Sequence, residues 1–524
     1  MNTPTSFSTR KIYIYIIIII LIFVGLFYFV SQSNKPFSTD VSTLSTAKES
    51  QIVELKNGDT YNLTASIVKK VIAGSEVKML AYNGSIPGPT IKVPKGAEIT
   101  INFTNNTDVP TTVHSHGVRL DNKFDGVPDV TQKEVGLGES FVYKIKFPDE
   151  GIYWYHPHVR EDYAQELGLY GNYIVTSPEK NYWSEVDREE TLFLDDILIE
   201  NGKIAGFSSV ADHVLMGRFG NVMLVNGTDK YNLNIKQGER VRFYVTNSAN
   251  TRVFNLSIPN TRMKLVGGDN GKYEREEWVD SVLIGPSERA VVEIWFDKDG
   301  NYPIQNLTPN KTYSMGNIKV SSAPVTTSYF LVARTNEDVI NSINPFRQYF
   351  DKKSDKSLVL TVDMGGMGGG SHMMPDGTMM SNSGMMMGAP DSEKIEWEDN
   401  MAMMNSMSYA NTVKWKIVDT DTKKENEKID WRFKVGDKVK IKIFNDPKSM
   451  HPMQHPFHIH GQKFLVLSTN GVKNTNMVWK DTTLIQKGDT VEILVDMENP
   501  GMWMAHCHIA EHLEAGMMMQ FEVW

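Results

Sequence analysis

Beyond residue 50, apolar side chains recur at every second position in short runs broken by Gly, Asn and Pro. No long stretch carries the period of an amphipathic helix, so the pattern predicts an all-β chain. One run returns three times: a Gly, apolar residues three, five and seven positions later, and Asn at nine. Gly96, Ile99, Ile101, Phe103 and Asn105 fit it, as do Gly238, Val241, Phe243, Val245 and Asn247, and Gly436, Val439, Ile441, Ile443 and Asn445. Each copy reads as a half-buried strand entered from a glycine turn. A second alternating strand in each unit leads to Gly151, Gly300 and Gly501. The first block recurs after 142 and then 198 residues, the second after 149 and then 201, so the third unit carries surplus chain. That surplus is a Gly-, Ser-, Asn- and Met-rich insertion at 364–407. Repetition of a strand-rich unit predicts three tandem Greek-key β-sandwich domains, at 51–180, 181–345 and 346–524.

Ahead of them, Ile12 to Val30 is 19 uncharged residues with only Gly25 among large apolar side chains. That is long enough to cross a bilayer. Arg10 and Lys11 precede it, which predicts a cytoplasmic N-terminus and an exported remainder. A cleaved signal peptide is the competing reading, but its apolar core ordinarily spans about 7 to 15 residues and ends at small residues. The expectation over 1–50 is a membrane-spanning anchor and a Ser/Thr-rich tether. The β-rich domains would then lie on the extracytoplasmic side, periplasmic or at the cell surface.

Composition narrows the chemistry. Lys plus Arg number 54 against 63 Asp plus Glu, a net charge of -9, so nucleic acid is not an expected partner. A monomer is expected. A single Cys excludes an intramolecular disulfide, a zinc site built from several cysteines and a cysteine-ligated iron–sulfur cluster. Histidine (13) and methionine (28) are what remain to explain.

The first unit carries His114-Ser115-His116 after its Gly-led strand, and the third carries His458-Ile459-His460. The second unit has Val253-Phe254-Asn255-Leu256-Ser257 at the corresponding place. Alternate strand residues share a face, so each H-x-H offers two imidazoles together. Five residues after Gly151 stands His156, with His158 two further; five after Gly501 stands His506 in His506-Cys507-His508; five after Gly300 is Gln305. A lone His on an apolar strand is ordinarily a satisfied core residue, but four pairs in register across two repeats are not explained that way. Imidazole suits zinc, copper, iron or nickel, so the thiolate discriminates. Cys507 with His455, His512 and Met517 supplies two nitrogens, one sulfur and a weak thioether, the blue-copper set.

These four ordered segments resemble the copper-binding signatures of the multicopper oxidases, the family of laccases, ascorbate oxidase and cuprous oxidases. The resemblance covers about 50–524 and implies three cupredoxin domains with a trinuclear cluster between the first and third. It implies four coppers per chain. His455, Cys507, His512 and Met517 would hold the type 1 ion, and His114 and His458 the type 2 ion. His116, His156 and His508 would hold one type 3 ion, and His158, His460 and His506 the other. It further implies one-electron oxidation of a small-molecule or metal-ion donor coupled to four-electron reduction of dioxygen to water. Cys507, flanked by His506 and His508, would link the centres, and an exposed edge of His512 would admit electrons.

Asp125, eleven residues after His114 in an Asp-Gly turn, matches the family's proton-relaying acid. Leu513 stands where one bacterial subgroup has Glu, and Glu511 and Glu514 are the nearby alternatives. The insertion holds thirteen Met, among them Met364, Met367, Met373, Met374, Met379, Met380, Met385, Met386 and Met387. Thioethers favour Cu(I), and a Met-rich insertion in the third domain is similar to that of cuprous oxidases. The expectation is a loop that collects Cu(I) and feeds the type 1 site, with Met453 on the route, against a floppy surface loop with incidental Met; phenols in the laccase manner are the other donor class. Lys448, His451 and Gln454 replace the acidic residue that metal-oxidising relatives tend to place there. A copper storage or electron-transfer protein would explain the Met and the type 1 set but not eight further histidines. A copper-free cupredoxin would have lost ligands, and a copper nitrite reductase would lack the paired cluster.

Overall fold

A computed structural model describes residues 37–325, 332–364 and 393–524, with the backbone of 372–373 and 379–380. The expected membrane segment Ile12–Val30 lies outside the described residues, and among the described residues no helix is long and apolar enough to cross a membrane. The side chains of Met367, Met373, Met374, Met379, Met380, Met385, Met386 and Met387 also lie outside them; the backbone of His372–Met373 pairs antiparallel with Met379–Met380.

The chain is mostly β and forms three sandwiches, each of two sheets. The Gly-led strand of the sequence repeat takes the same place in all three. Glu98–Asn106, Arg240–Asn247 and Lys438–Asn445 each run parallel to an earlier strand, Thr60–Ile72, Arg188–Ile197 and Lys356–Asp363 respectively. Each also runs antiparallel to a later one, Ser140–Lys146, Arg289–Trp295 and Thr490–Asp496. Alternation turns Ile99, Ile101 and Phe103, and their counterparts, into the cores.

The closing Asn does the same work three times. Asn105 donates its amide hydrogens to the carbonyls of Val109 and Val135 at 2.8 and 2.9 Å. Asn247 does so to Arg252 and Ile284 at 2.8 and 2.9 Å, and Asn445 to Met453 and Ile485 at 2.7 and 3.1 Å. Each clamp ties the loop ahead of the histidine-bearing strand, or its equivalent, to the opposite edge. A buried carboxamide left unpaired would cost about 1–3 kcal/mol, so the clamp is enforced once the loop closes over it.

The second sheets set the register of the histidines. His114–His116 pairs antiparallel with Gly151–His156, His114 opposite His156. His455–Ile459 pairs with Gly501–Cys507, His458 opposite His506 and Phe457 opposite Cys507. In the middle unit Phe254–Ser257 pairs with Gly300–Leu307, Leu256 opposite Asn306. Gly461, directly after the third unit's H-x-H, has φ +63, and a Cβ there would meet the Trp503 ring at 2.3 Å. Trp503 is fully buried; an indole covering about 200 Å² contributes roughly 5 kcal/mol at 25 cal/mol/Å².

Candidate metal centres

Eight imidazoles from the first and third units converge in one buried space: His114, His116, His156, His158, His458, His460, His506 and His508. The rings of His158, His460 and His506 lie 5.1–5.2 Å apart, centroid to centroid. Those of His116, His156 and His508 lie 4.9–5.6 Å apart. His114 and His458 stand 6.0 Å apart between them.

Polar contacts fix which nitrogen faces inward in seven of the eight rings; His508 has no partner at either nitrogen among the described residues. A carbonyl only accepts, so a ring nitrogen bonded to one carries the proton and the other keeps its lone pair. Nδ1 donates from His114 to the Asp125 carbonyl (2.7 Å), from His458 to the Asp481 carbonyl (2.9 Å), from His156 to Pro157 (2.8 Å) and from His506 to Cys507 (2.9 Å). Nδ1 of His460 donates to Asp125 Oδ2 at 2.8 Å, and Nδ1 of His158 lies 3.0 Å from Glu161 Oε1. His116 is reversed: its Nε2 lies 3.0 Å from Asp481 Oδ1, so Nδ1 is the inward atom.

Among the described residues the inward atoms have no protein partner at His114, His156, His158 and His458 through Nε2, nor at His116 through Nδ1. Nε2 of His460 and Nε2 of His506 face each other at 3.0 Å, two lone pairs in contact. Buried nitrogens cost free energy unless something accepts their lone pairs. The donor set fits copper.

Burial holds these rings neutral, as ligands must be. It pushes His158 and His506 down to about 3, and His116, His156, His458, His460 and His508 well below the ordinary histidine value. His114 is the exception: burial depresses it, but the Asp125 carboxylate outweighs burial and leaves it raised.

The second centre lies within the third unit. Cys507 Sγ is 3.5 Å from His455 Nδ1 and 3.7 Å from His512 Nδ1, and the Ile509 N–H donates to the sulfur at 3.5 Å. Met517 and Met453 are both fully buried in the same core. Met517 accepts the Cys507 N–H on its carbonyl at 3.1 Å and donates its own N–H to the His512 carbonyl at 3.0 Å. Burial pushes the Cys507 thiol up and His455 down to about 3, so metal binding must expel the thiol proton.

The expected exposed edge of His512 is absent: His512 is wholly buried. Trp415 stacks on it at 3.9 Å, anchored by an indole N–H donated to the Val214 carbonyl at 2.7 Å. The main chain at Leu215 also borders the ring. Leu215 in turn clusters with Met216 and Phe219 of the second unit and with Met364, Met401 and Met404. The C-terminal end of the insertion is therefore packed. It folds as the helix Ala402–Ser406, where Asn405 Oδ1 accepts the Met216 N–H at 3.0 Å and Ser408 Oγ accepts the Leu215 N–H at 2.9 Å. Composition hid this because the binding rests on one Asn and one Ser among the methionines.

Sequence reasoning also passed over Asp481, Thr482, Arg289, Trp415 and Glu161, all set among the ligands without a spacing signature. Glu161 touches His158 and is pushed up to about 7 by burial. Glu511 instead faces the second unit, accepting from Asn250 Nδ2 at 3.3 Å and Thr251 Oγ1 at 3.0 Å, while Glu514 Oε1 accepts the Glu161 N–H at 3.2 Å. His213 is tied to Asp212 at 2.6 Å, and His451 is buried beside the Cys507 centre.

Three family models, each described as multicopper oxidase, match residues 65–180, 179–336 and 389–524. The chain is similar to the multicopper oxidase mco of Staphylococcus aureus, 27% identical over 472 residues that cover 88% of each protein. It is similar to the multicopper oxidase MmcO of Mycobacterium tuberculosis, 25% identical over 88% of this chain and 86% of that one. Its fold is like that of the Campylobacter jejuni multicopper oxidase described as a metallo-oxidase: TM-score 0.66, 24% identity, 92% of this chain and 98% of the other.

Proposed function

The chain belongs to the multicopper oxidase family, with its three cupredoxin domains, and from that premise we propose that its donor is Cu(I). It is an oxidase of the laccase and metallo-oxidase type, taking electrons from a donor and using dioxygen as acceptor.

The proposed stoichiometry is four coppers. His455, Cys507, His512 and Met517 hold one, and His114 with His458 another. His116, His156 and His508 hold a third, and His158, His460 and His506 the fourth. When bound, copper supplies one-electron acceptance at the Cys507 centre and multi-electron dioxygen reduction at the histidine cluster. The protein supplies the rest. Trp415 and Leu215 wall His512 from water, and the strand Gly501–Cys507 ties the two centres covalently through His506-Cys507-His508. Asp125 orients His114 through its carbonyl and His460 through its carboxylate. Asp125 and Glu161, each against a cluster histidine, are the groups placed to hold protons for dioxygen reduction.

The observation that carries the donor assignment is the methionine cluster at Leu215. Met216, Met401, Met404 and Met364 pack with Leu215, whose main chain borders the wholly buried His512, so a bulky phenol has no direct face of that ring to touch, whereas the neighbouring thioethers bind Cu(I). The test compares Cu(I), Fe(II) and a phenol as donors for the full chain and for the double substitution Met401→Leu, Met404→Leu. Cu(I) oxidation should fall about tenfold, a loss of roughly 1.4 kcal/mol, with phenol oxidation unchanged or faster. An unchanged ratio of the two rates would remove Cu(I) as the preferred donor. We further propose an exported protein anchored by Ile12–Val30, a monomer with no nucleic-acid partner; alkaline extraction of membranes tests the anchor.

A further inference from the structure

We propose that Arg289, supplied by the middle unit that has no histidine pair, is a positioning residue for the copper cluster and acts through Asp481. Arg289 opens the strand Arg289–Trp295 and is fully buried, as is Asp481. Its guanidinium grips that carboxylate as a fork, Nη1 donating to Oδ1 at 2.6 Å and Nη2 to Oδ2. Its Nε donates to the Ile152 carbonyl at 3.1 Å, and its own N–H donates to Asp269 Oδ1 at 2.8 Å. The guanidinium is therefore aimed by contacts to the first unit and to its own unit before it meets Asp481.

Asp481 in turn touches histidines of two different sites. Its Oδ1 accepts from His116 Nε2 at 3.0 Å, and its carbonyl accepts from His458 Nδ1 at 2.9 Å. Thr482 Oγ1 sits between the same two rings, 3.0 Å from His116 Nε2 and 3.1 Å from His458 Nδ1. Those rings stack at 3.7 Å. Asp481, with the Thr482 hydroxyl that donates to its Oδ1 at 2.9 Å, thus decides which nitrogen of His116 faces inward and how His458 is turned.

Asp481 lies close enough to His116 and His458 to serve as a metal ligand itself. The fork prevents that. Both carboxylate oxygens are occupied by Arg289, so the charge is neutralised within the interior and Asp481 stays an acceptor for His116. A buried carboxylate stripped of such a partner is strongly disfavoured. Space for the fork is cut by Gly117, directly after His116: φ is +80, and a Cβ there would meet Asp481 Oδ2 at 2.2 Å and Arg289 Nη2 at 3.0 Å. The middle unit is thereby a working part of the cluster.

The test uses the full chain loaded with copper, in two variants. Arg289→Lys keeps the charge and loses the fork; Asp481→Asn keeps an acceptor for His116 and loses the charge that the fork neutralises. In both, the blue absorbance per chain should stay at the parent value, which also reports a folded third unit. Affinity of the cluster coppers, read by competition with a chelator, should drop 10- to 100-fold, with a shifted or weakened type 2 electron paramagnetic resonance signal. A merely structural role would lower the melting temperature and leave the type 2 spectrum and cluster affinity unchanged, which overturns the proposal. Should Arg289→Lys fail to fold, Asp481→Asn decides alone by the same two readouts.

Discussion

Cys507 Sγ and His455 Nδ1 stand 3.5 Å apart although 52 residues separate them in the chain. Pairing of His455–Ile459 with Gly501–Cys507 makes the approach, and the Asn445 clamp on the Met453 carbonyl sets where the first strand begins. Cys507→Ser should therefore abolish blue absorbance and lower copper by one per chain. Because the cluster rings are oriented by other contacts, its type 2 resonance should persist while donor oxidation falls to background.

Asp125 serves two rings by two different atoms, so its substitutions should separate. Asp125→Asn keeps the carbonyl for His114 and a side-chain oxygen for His460; Asp125→Ala keeps only the first. Ala should cost the cluster about 10- to 100-fold in copper affinity and Asn markedly less, as measured by chelator competition.

Gly461→Ala combines a left-handed φ, worth about 1–2 kcal/mol against a β-carbon, with overlap on the buried Trp503 ring, worth about 1–3 kcal/mol. Denaturant unfolding of the copper-free chain should show a loss of about 2–5 kcal/mol. Gly436→Ala, also at positive φ but with nothing within 4 Å of its Cβ, should show the backbone part alone.

Glu511 is pushed from the usual 4.5 up to about 7 by burial. A carboxyl raised on folding favours the folded chain's protonated form. Its contribution is intact below about 4.5 and is lost as pH climbs through 7. At about 1.4 kcal/mol per pH unit between those values, the loss is roughly 2–4 kcal/mol. Glu511→Gln avoids it, since the amide oxygen can still accept from Asn250 Nδ2 and the amide N–H can donate to the Thr251 hydroxyl. The copper-free Gln variant should match the parent near pH 4 and exceed its unfolding free energy by roughly that amount at pH 8. Comparing the two chains cancels the titration of the histidines.

The histidine pairs and the repeated Asn were legible because both follow from period-two alternation, which is local. The middle unit's Phe254 and Leu256 showed what the strand carries without a metal to hold. Register was not legible: nothing near His458 says that His506 rather than His508 will oppose it. Nor were Asp481 and Arg289, since a buried ion pair between units has no periodicity, and a Lys-Asp-Thr break in a strand reads as any polar edge. The methionine segment misled in the opposite direction. Its composition argued against a packed role, yet Asn405 and Ser408 pin the short helix Ala402–Ser406, and Met401 and Met404 pack with Leu215, whose main chain borders the buried His512.

The three asparagine clamps bear on how copper arrives. Asn247 closes its loop in a unit with no ligand to organise, so the closure at Asn105 and Asn445 does not wait for metal either. The empty chain would then present shaped pockets, and loading becomes a matter of traffic, how quickly an ion passes the outer walls and sheds its water, and not of chain rearrangement. Uptake should accordingly be first order in copper at low concentration, with little change in backbone circular dichroism.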